Sequence, residues 1–208
     1  MDNLSQKAYG QIKEMILEGT LQQGQLISIN KLTEMLQISR TPLTSAFQRL
    51  ENEKFITIIP KQGVIVNTVS LETAREIYEL RAAIETYNAK RVFPKMDATD
   101  LAALEDSLAR QEARSQCNDT AGFMKEDIWF HKYILNKVSN FEFMSVIDVL
   151  FERAYLLGLS NSGHHRMEES ITEHRQILSA LKGENPQGFA DAIECNILNG
   201  FRNLTKIL

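Results

Sequence analysis

Cysteine is scarce in this 208-residue chain, with only Cys117 and Cys195 present. Two thiols so far apart make no disulfide framework, and a reducing cytoplasm is the expected setting. The opening residues MDNLSQKAYGQ lack the apolar run of a secretory signal. No stretch has the roughly 18 apolar residues that a membrane helix needs. Low-complexity segments and internal repeats are missing as well. So is any H-E-x-x-H, and no nucleophile and base stand at diagnostic spacing. Positive charge is short too: the formal net charge is −4, which disfavours a nucleic-acid partner until it is divided along the chain. Residues 1–70 carry seven Lys/Arg against six Asp/Glu, whereas residues 71–208 carry sixteen against twenty-one. The acidity belongs to the C-terminal part, and the N-terminal part is free to meet an anion.

What is present reads as a mainly α protein in two segments, residues 1–69 and 70–208. In the first, Ala8, Ile12, Met15 and Ile16 recur at helical spacing. A short second helix spans about Asn30 to Leu36, with Leu32, Met35 and Leu36 expected inward. A third opens near Ser39 or Thr41, either able to cap it, and Pro42 fits its first turn because the missing N–H has no partner there. FITII and VIVNTV, rich in β-branched residues, flank PKQG and predict a two-stranded wing. On the third helix Leu43, Ala46, Phe47 and Leu50 form the inward stripe. Arg40, Thr41, Thr44, Ser45, Gln48 and Arg49 face out. Short helix, tight turn and polar-faced helix match a winged helix-turn-helix whose second helix enters the major groove of DNA. Small residues at 44 and 45 permit close approach and Gln48 can reach a base edge. Arg40, Arg49 and Lys61 suit phosphates. The alternative is a solvated face on a small helical bundle.

After Ser70 the periodicity is wholly helical, and six helices are expected near residues 71–92, 98–115, 120–138, 141–160, 166–182 and 186–207, forming an all-α antiparallel bundle. Breaks fall at Pro94, around Cys117 to Asp119, at Ser139-Asn140, at NSGHH and at GENPQG. Polar residues interrupt the apolar stripes of this segment. Arg81 stands among Ile77, Tyr78 and Ile84. Asp127 and His131, four residues apart, lie among Phe123, Met124, Phe130 and Ile134. His174 sits between Ile171 and Ile177, and Asn196 follows Ala192 and Ile193. Burying such groups is costly unless they are paired, coordinated or hydrogen-bonded, so their recurrence on several helices suggests that they meet. Asp127 and His131 at i, i+4 can chelate one ion from one helix. Taken singly, each is equally a hydrogen-bonded core residue, and Arg81 can pair with Glu85 at i+4.

The run LTEMLQISRTPLTSAFQRLENEKFITIIPKQGVIV resembles the winged-helix domain of the GntR family of bacterial transcription regulators, through SRTP, the apolar spacing and Gly63 in the wing. That resemblance implies DNA contacts from the third helix and wing, Gly63 included. Thr44 and Ser45 stand where the family usually has Arg-Glu, and Lys54 replaces its glycine before the wing. RAAIE, EDIWFH and EHRQILSAL resemble the motifs of the FCD ligand domain in the FadR branch of that family, and six helices suit its shorter, VanR-like members. The resemblance implies that Asp127, His131 and His174 contribute to a divalent metal site, for zinc or nickel, and that Arg81 binds a carboxylate effector. Asn196 occupies the place of a third histidine. An amide oxygen is a poor ligand for those two ions, so the site holds metal through three protein groups and the effector, or holds none.

The expected protein is a cytoplasmic, metabolite-responsive repressor without a membrane segment. It would be a homodimer so that two recognition helices meet a palindromic operator in double-stranded DNA, with ligand changing the spacing of the two heads. The alternative from another class is an all-helical metal-dependent hydrolase using Asp127, His131 and His174. A third reading, an interaction module without ligand, leaves the buried polar set unexplained.

Overall fold

Ala8, Tyr9, Ile12 and Ile16 fall three and four residues apart, and helix α1 (Asn3–Leu17) buries all four against α3 (Arg40–Asn52). The computed structural model describes residues 3–161 and 163–206 and divides into two units, residues 1–69 and 70–208. In the first unit α1 is followed by β1 (Leu26–Ile27), α2 (Ile29–Leu36), α3, β2 (Ile56–Ile59) and β3 (Gly63–Val66). Ser28 caps α2 by accepting the Lys31 N–H, and Gln37, in the left-handed conformation at φ 54, ends it and turns the chain into α3. Leu43, Ala46, Phe47 and Leu50 of α3 are buried, as their spacing predicts.

One expectation is extended here and one corrected. The two expected strands of the wing pair as β2 and β3 (Ile56↔Val66 to Ile59↔Gly63), and β1 adds a third strand beside β3 (Leu26↔Ile65, Ile27↔Val64), so the antiparallel order is β1-β3-β2. A two-residue strand has no alternation to read, so only the tertiary pairing reveals it. Met35 faces out, 45% exposed, because the eight-residue α2 buries one position fully, Leu32. Gly63 and Lys54 matter to this sheet. Gly63 has φ 141, and a Cβ there would lie 2.1 Å from the carbonyl oxygen of Ile27, so only glycine lets β3 approach the segment behind it. Lys54 takes φ 65 just before β2, a left-handed position that glycine would occupy without strain.

The second unit is helical: α4 (Leu71–Val92), a 3-10 turn (Phe93–Lys95), α5 (Ala98–Gln116), α6 (Thr120–Asn136), α7 (Phe141–Asn161), α8 (His164–Lys182) and α9 (Pro186–Lys206). These are the six expected helices; the reach to residue 207 and the Ser162 position of the NSGHH break lie outside the described residues. Caps come from the break residues themselves, Asp97 with Asp100 in a reciprocal capping box for α5 and Asp119 for α6. Helix α4 is central, packing on α9, α7 and α6. Its buried row runs through Ile77, Tyr78, Arg81, Ala82, Glu85 and Asn88, so the helix that organises the core also carries an arginine and a glutamate into it. No helix among the described residues is long and apolar enough to cross a membrane.

Candidate functional site

In the first unit Thr41, Thr44, Ser45 and Gln48 lie exposed along one side of α3. Thr44 Oγ1 donates back to the Arg40 carbonyl at 3.0 Å, leaving a smooth polar surface of short side chains. Arg40 and Lys61, both exposed, border one hollow beside the first turn of α2, and Arg40 is steadied by a 2.6 Å hydrogen bond to Asn30 Oδ1. Two cations next to a helix N-terminus make a place for a phosphate. Two members of the expected DNA-contacting set have structural duties here. The guanidinium of Arg49 stacks 3.6 Å from the centre of the Tyr9 ring and bonds Glu53 and Gln6, tying α3 to α1. Gly63 is buried, and its requirement for glycine comes from the close approach of Ile27.

In the second unit the polar residues expected to meet do meet. Asp127 and His131 from α6, His174 from α8 and Asn196 from α9 turn toward one point. His131 Nε2 lies 3.0 Å from Asn196 Oδ1 and 3.4 Å from His174 Nε2, which is 3.5 Å from Asp127 Oδ1. Ligands held about 2.1 Å from one ion at tetrahedral or octahedral angles are roughly 3.0 to 3.4 Å apart. The separations therefore suit a divalent ion.

The groups behind support the same conclusion. The far nitrogen of each ring meets an acceptor: His131 Nδ1 is 2.7 Å from Glu85 Oε2, and His174 Nδ1 is 2.7 Å from Gln111 Oε1. The far nitrogen of His174, facing an amide oxygen, thus carries the proton, and in that neutral ring the Nε2 lone pair faces inward, toward a carboxylate. With Asp127 Oδ1 and Asn196 Oδ1 turned to the same point, acceptors converge there, a placement that a cation relieves. Phe130 stacks on His174 with ring centres 4.3 Å apart and fixes its plane. Burial pulls the His174 pKa down from 6.5 to about 3, with Asp127 opposing only in part, so the ring is neutral at pH 7. Burial pushes the Asp127 and Glu85 carboxyls up, but the charges facing them, Arg81 beside both and Arg166 beside Asp127 among them, outweigh it and hold both below their ordinary values.

Beside this cluster is a cavity lined by Tyr78, Arg81, Asp127, Arg166, Ser170 and Asn196, among others. About 40 Å³ of it is open to the centres of water molecules, room for about three waters. The two arginines differ. Arg81, 4% exposed, donates through Nε to Glu85 at 2.8 Å and packs its guanidinium 4.6 Å from the Phe151 ring centre. Among the described residues no hydrogen bond engages its two terminal nitrogens, the pair a carboxylate would take. Arg166 has spent both of its own on Glu173, at 3.1 and 2.9 Å.

Sequence reasoning did not find Arg166, Glu173, Gln111 or Ser170, whose hydroxyl donates to Asp127 at 3.1 Å. A signal existed for one pair: Arg166 and Glu173 are seven residues apart, two turns along one face of α8. Gln111, which is fully buried, sits in the polar-looking run LARQEAR and gives no such sign.

The description bacterial regulatory proteins, gntR family, matches residues 4–66, and FCD domain matches residues 76–198. The chain is 23% identical over 202 residues, 96% of it and 90% of the relative, to an uncharacterized HTH-type transcriptional regulator YdhC of Bacillus subtilis (strain 168). It is 22% identical over 182 residues, 83% of this chain and 73% of the relative, to the gluconate operon transcriptional repressor of Bacillus licheniformis. The solved structure of E. coli McbR/YncC superposes with a TM-score of 0.82 at 20% identity, covering 100% of this chain and 99% of that one; at that identity the likeness is one of fold.

Proposed function

The chain belongs to the gntR family of bacterial transcription regulators and carries an FCD domain, and from that premise we propose that it is a repressor released from its operator by a small carboxylate metabolite. As a member of a family of regulators it is not an enzyme, which sets aside the metal-dependent hydrolase. A relative named as a repressor supports the sign of control.

The observation that carries the effector reading is Arg81, buried in a cavity wall with its terminal nitrogens uncommitted beside a cluster of metal-ligand geometry. A planar guanidinium presents two parallel N–H groups that match the two oxygens of a carboxylate. Asp127, His131, His174 and Asn196 are the residues that would hold a divalent ion, and the ion would supply a positive centre for a second effector oxygen. Around them Phe130 and Phe151 exclude water, and Glu85 and Gln111 keep the imidazole lone pairs turned inward. A cavity that holds a few waters must widen for a metabolite, and unbranched Met124, packed against Gly158 in its wall, is the side chain suited to give way. Binding energy spent on that rearrangement biases the population of DNA-binding and released states.

DNA recognition rests on Arg40 and Lys61 for phosphates and on Gln48 with Thr41, Thr44 and Ser45 for base edges. A homodimer reading an inverted repeat is supported by exposed apolar residues on the adjoining helices α4 and α7, Tyr87 at 60% and Phe141 at 91%, which a second copy would cover. The test is selection of binding sites from a random duplex pool, followed by fluorescence anisotropy of the selected site against a panel of mono-, di- and hydroxycarboxylates. An inverted repeat released by one class of acid is the expected result. Failure to bind any duplex at low salt would overturn the reading, and release by none of the acids would remove its effector half.

A further inference from the structure

Asn196 is the member of the cluster least suited to a metal by residue type, yet its orientation is the most tightly controlled. Its Nδ2 donates to Glu173 Oε2 at 2.8 Å. That carboxylate is saturated with donors: Arg166 grips both oxygens, and Asn199 Nδ2 donates to Oε1 at 2.9 Å. A carboxylate whose two oxygens both take donors accepts only, so turning the Asn196 amide over would set its oxygen against another oxygen. The amide is therefore held with Oδ1 inward, 3.0 Å from His131 Nε2. His131 is held in the same manner from the other side, by Glu85 and through it by Arg81. Two chains of the form arginine, glutamate, inward-facing group thus run from the cavity wall to one point.

We propose that Glu173 makes Asn196 a metal ligand through its amide oxygen. The donor set then comprises two imidazole nitrogens and two oxygens, and it favours an octahedral, oxygen-preferring divalent ion of the manganese class more than a set completed by a third imidazole does. This rests on the reading that the cluster holds a divalent ion. Amide and carboxylate oxygens suit hard ions, while imidazole raises affinity for nickel and zinc disproportionately. Glu173 touches no ion and acts by position, as the partners behind metal ligands do.

The experiment is calorimetric titration of the metal-stripped full chain with Mn²⁺ and separately with Ni²⁺, for wild type, Glu173→Gln, Asn196→Ala, the double variant and Asn196→His, with folding checked by circular dichroism. A glutamine at 173 can donate to Asn196 Oδ1 and let the amide turn over. Glu173→Gln and Asn196→Ala should each weaken Mn²⁺ by about 10- to 100-fold, and the double variant should be no weaker than Asn196→Ala alone, because the first residue acts through the second. Asn196→His should raise the ratio of Ni²⁺ to Mn²⁺ affinity at least about tenfold. Unchanged Mn²⁺ affinity in Asn196→Ala, additive losses in the double variant, or an unchanged ion ratio in Asn196→His would overturn the proposal while leaving the metal reading standing. Wild type that binds neither ion would overturn both. Should Glu173→Gln fail to fold, the two Asn196 variants still decide whether the amide oxygen is a ligand.

Discussion

Acidifying the metal-stripped protein tests the state of the helical domain's buried cluster directly. His174 has an unfolded pKa of 6.5 and a folded one of about 3. Because the folded value is the lower, the unfolded chain takes up a proton below pH 6.5 that the folded chain refuses, and stability present above that pH is lost as pH falls toward 3. The slope approaches about 1.4 kcal/mol per pH unit, so His174 alone removes about 2.5 kcal/mol between pH 7 and about pH 4.5. That is a large part of the ~5–15 kcal/mol of an ordinary domain. Asp127 and Glu85, whose folded pKa values are depressed, also lose stability on acidification, but in a range below the ordinary carboxylate values. The window above about pH 4.5 therefore isolates the imidazole. Urea unfolding followed by helical circular dichroism at a series of pH values measures the slope, and His174→Gln, which keeps an acceptor and a donor near the cluster, should flatten it by about the same 2.5 kcal/mol. Equal slopes in wild type and variant, or a folded-state imidazole resonance that titrates near pH 6 and is missing from His174→Gln, would refute the burial and neutrality argued for His174.

Arg40→Ala and Lys61→Ala should each weaken binding to selected and random DNA alike and lower the salt slope by about 0.9, while Gln48→Ala should leave random binding intact and relax preference at one base pair by roughly 1–3 kcal/mol; competition anisotropy separates the two behaviours. Arg81→Lys should keep operator binding and lose about 10- to 100-fold in response to the acid, as expected for a charged hydrogen-bond pair of ~1.5–3 kcal/mol; a variant that fails to fold would make the Glu85 ion pair its main role. Lys54→Gly should stabilise the winged domain by about 0.5–1 kcal/mol, since relief of left-handed strain worth ~1–2 kcal/mol exceeds the entropy that glycine adds to the unfolded chain, whereas Gly63→Ala should destabilise it by at least ~2 kcal/mol through the collision with Ile27. Denaturant midpoints of the two variants, shifted in opposite directions, check both.

Local chemistry settled much of this protein before any tertiary contact was known. Leu43, Ala46, Phe47 and Leu50 needed only their spacing to mark the buried side of α3, and the caps at Ser28, Ser70, Asp97 and Asp119 are choices that a helix start makes from its own residues. The inward placing of Arg81, Asp127, His131 and His174 was likewise legible, because a polar residue in an apolar stripe announces itself at helical periodicity. Pairing across the fold was not. Strand β1 exists because β3 lies beside it, Arg49 is tied to Tyr9 and Glu53 across the domain, and Gly63 is dictated by a carbonyl 36 residues earlier in the chain, on Ile27. The same holds for the orientation of a side chain whose two ends look alike in sequence. Asn196 reads as a weak substitute for histidine until Glu173 and Arg166 are seen behind it, since which end of an amide faces a site depends on the donors and acceptors that other helices bring, and no periodicity along one helix records those.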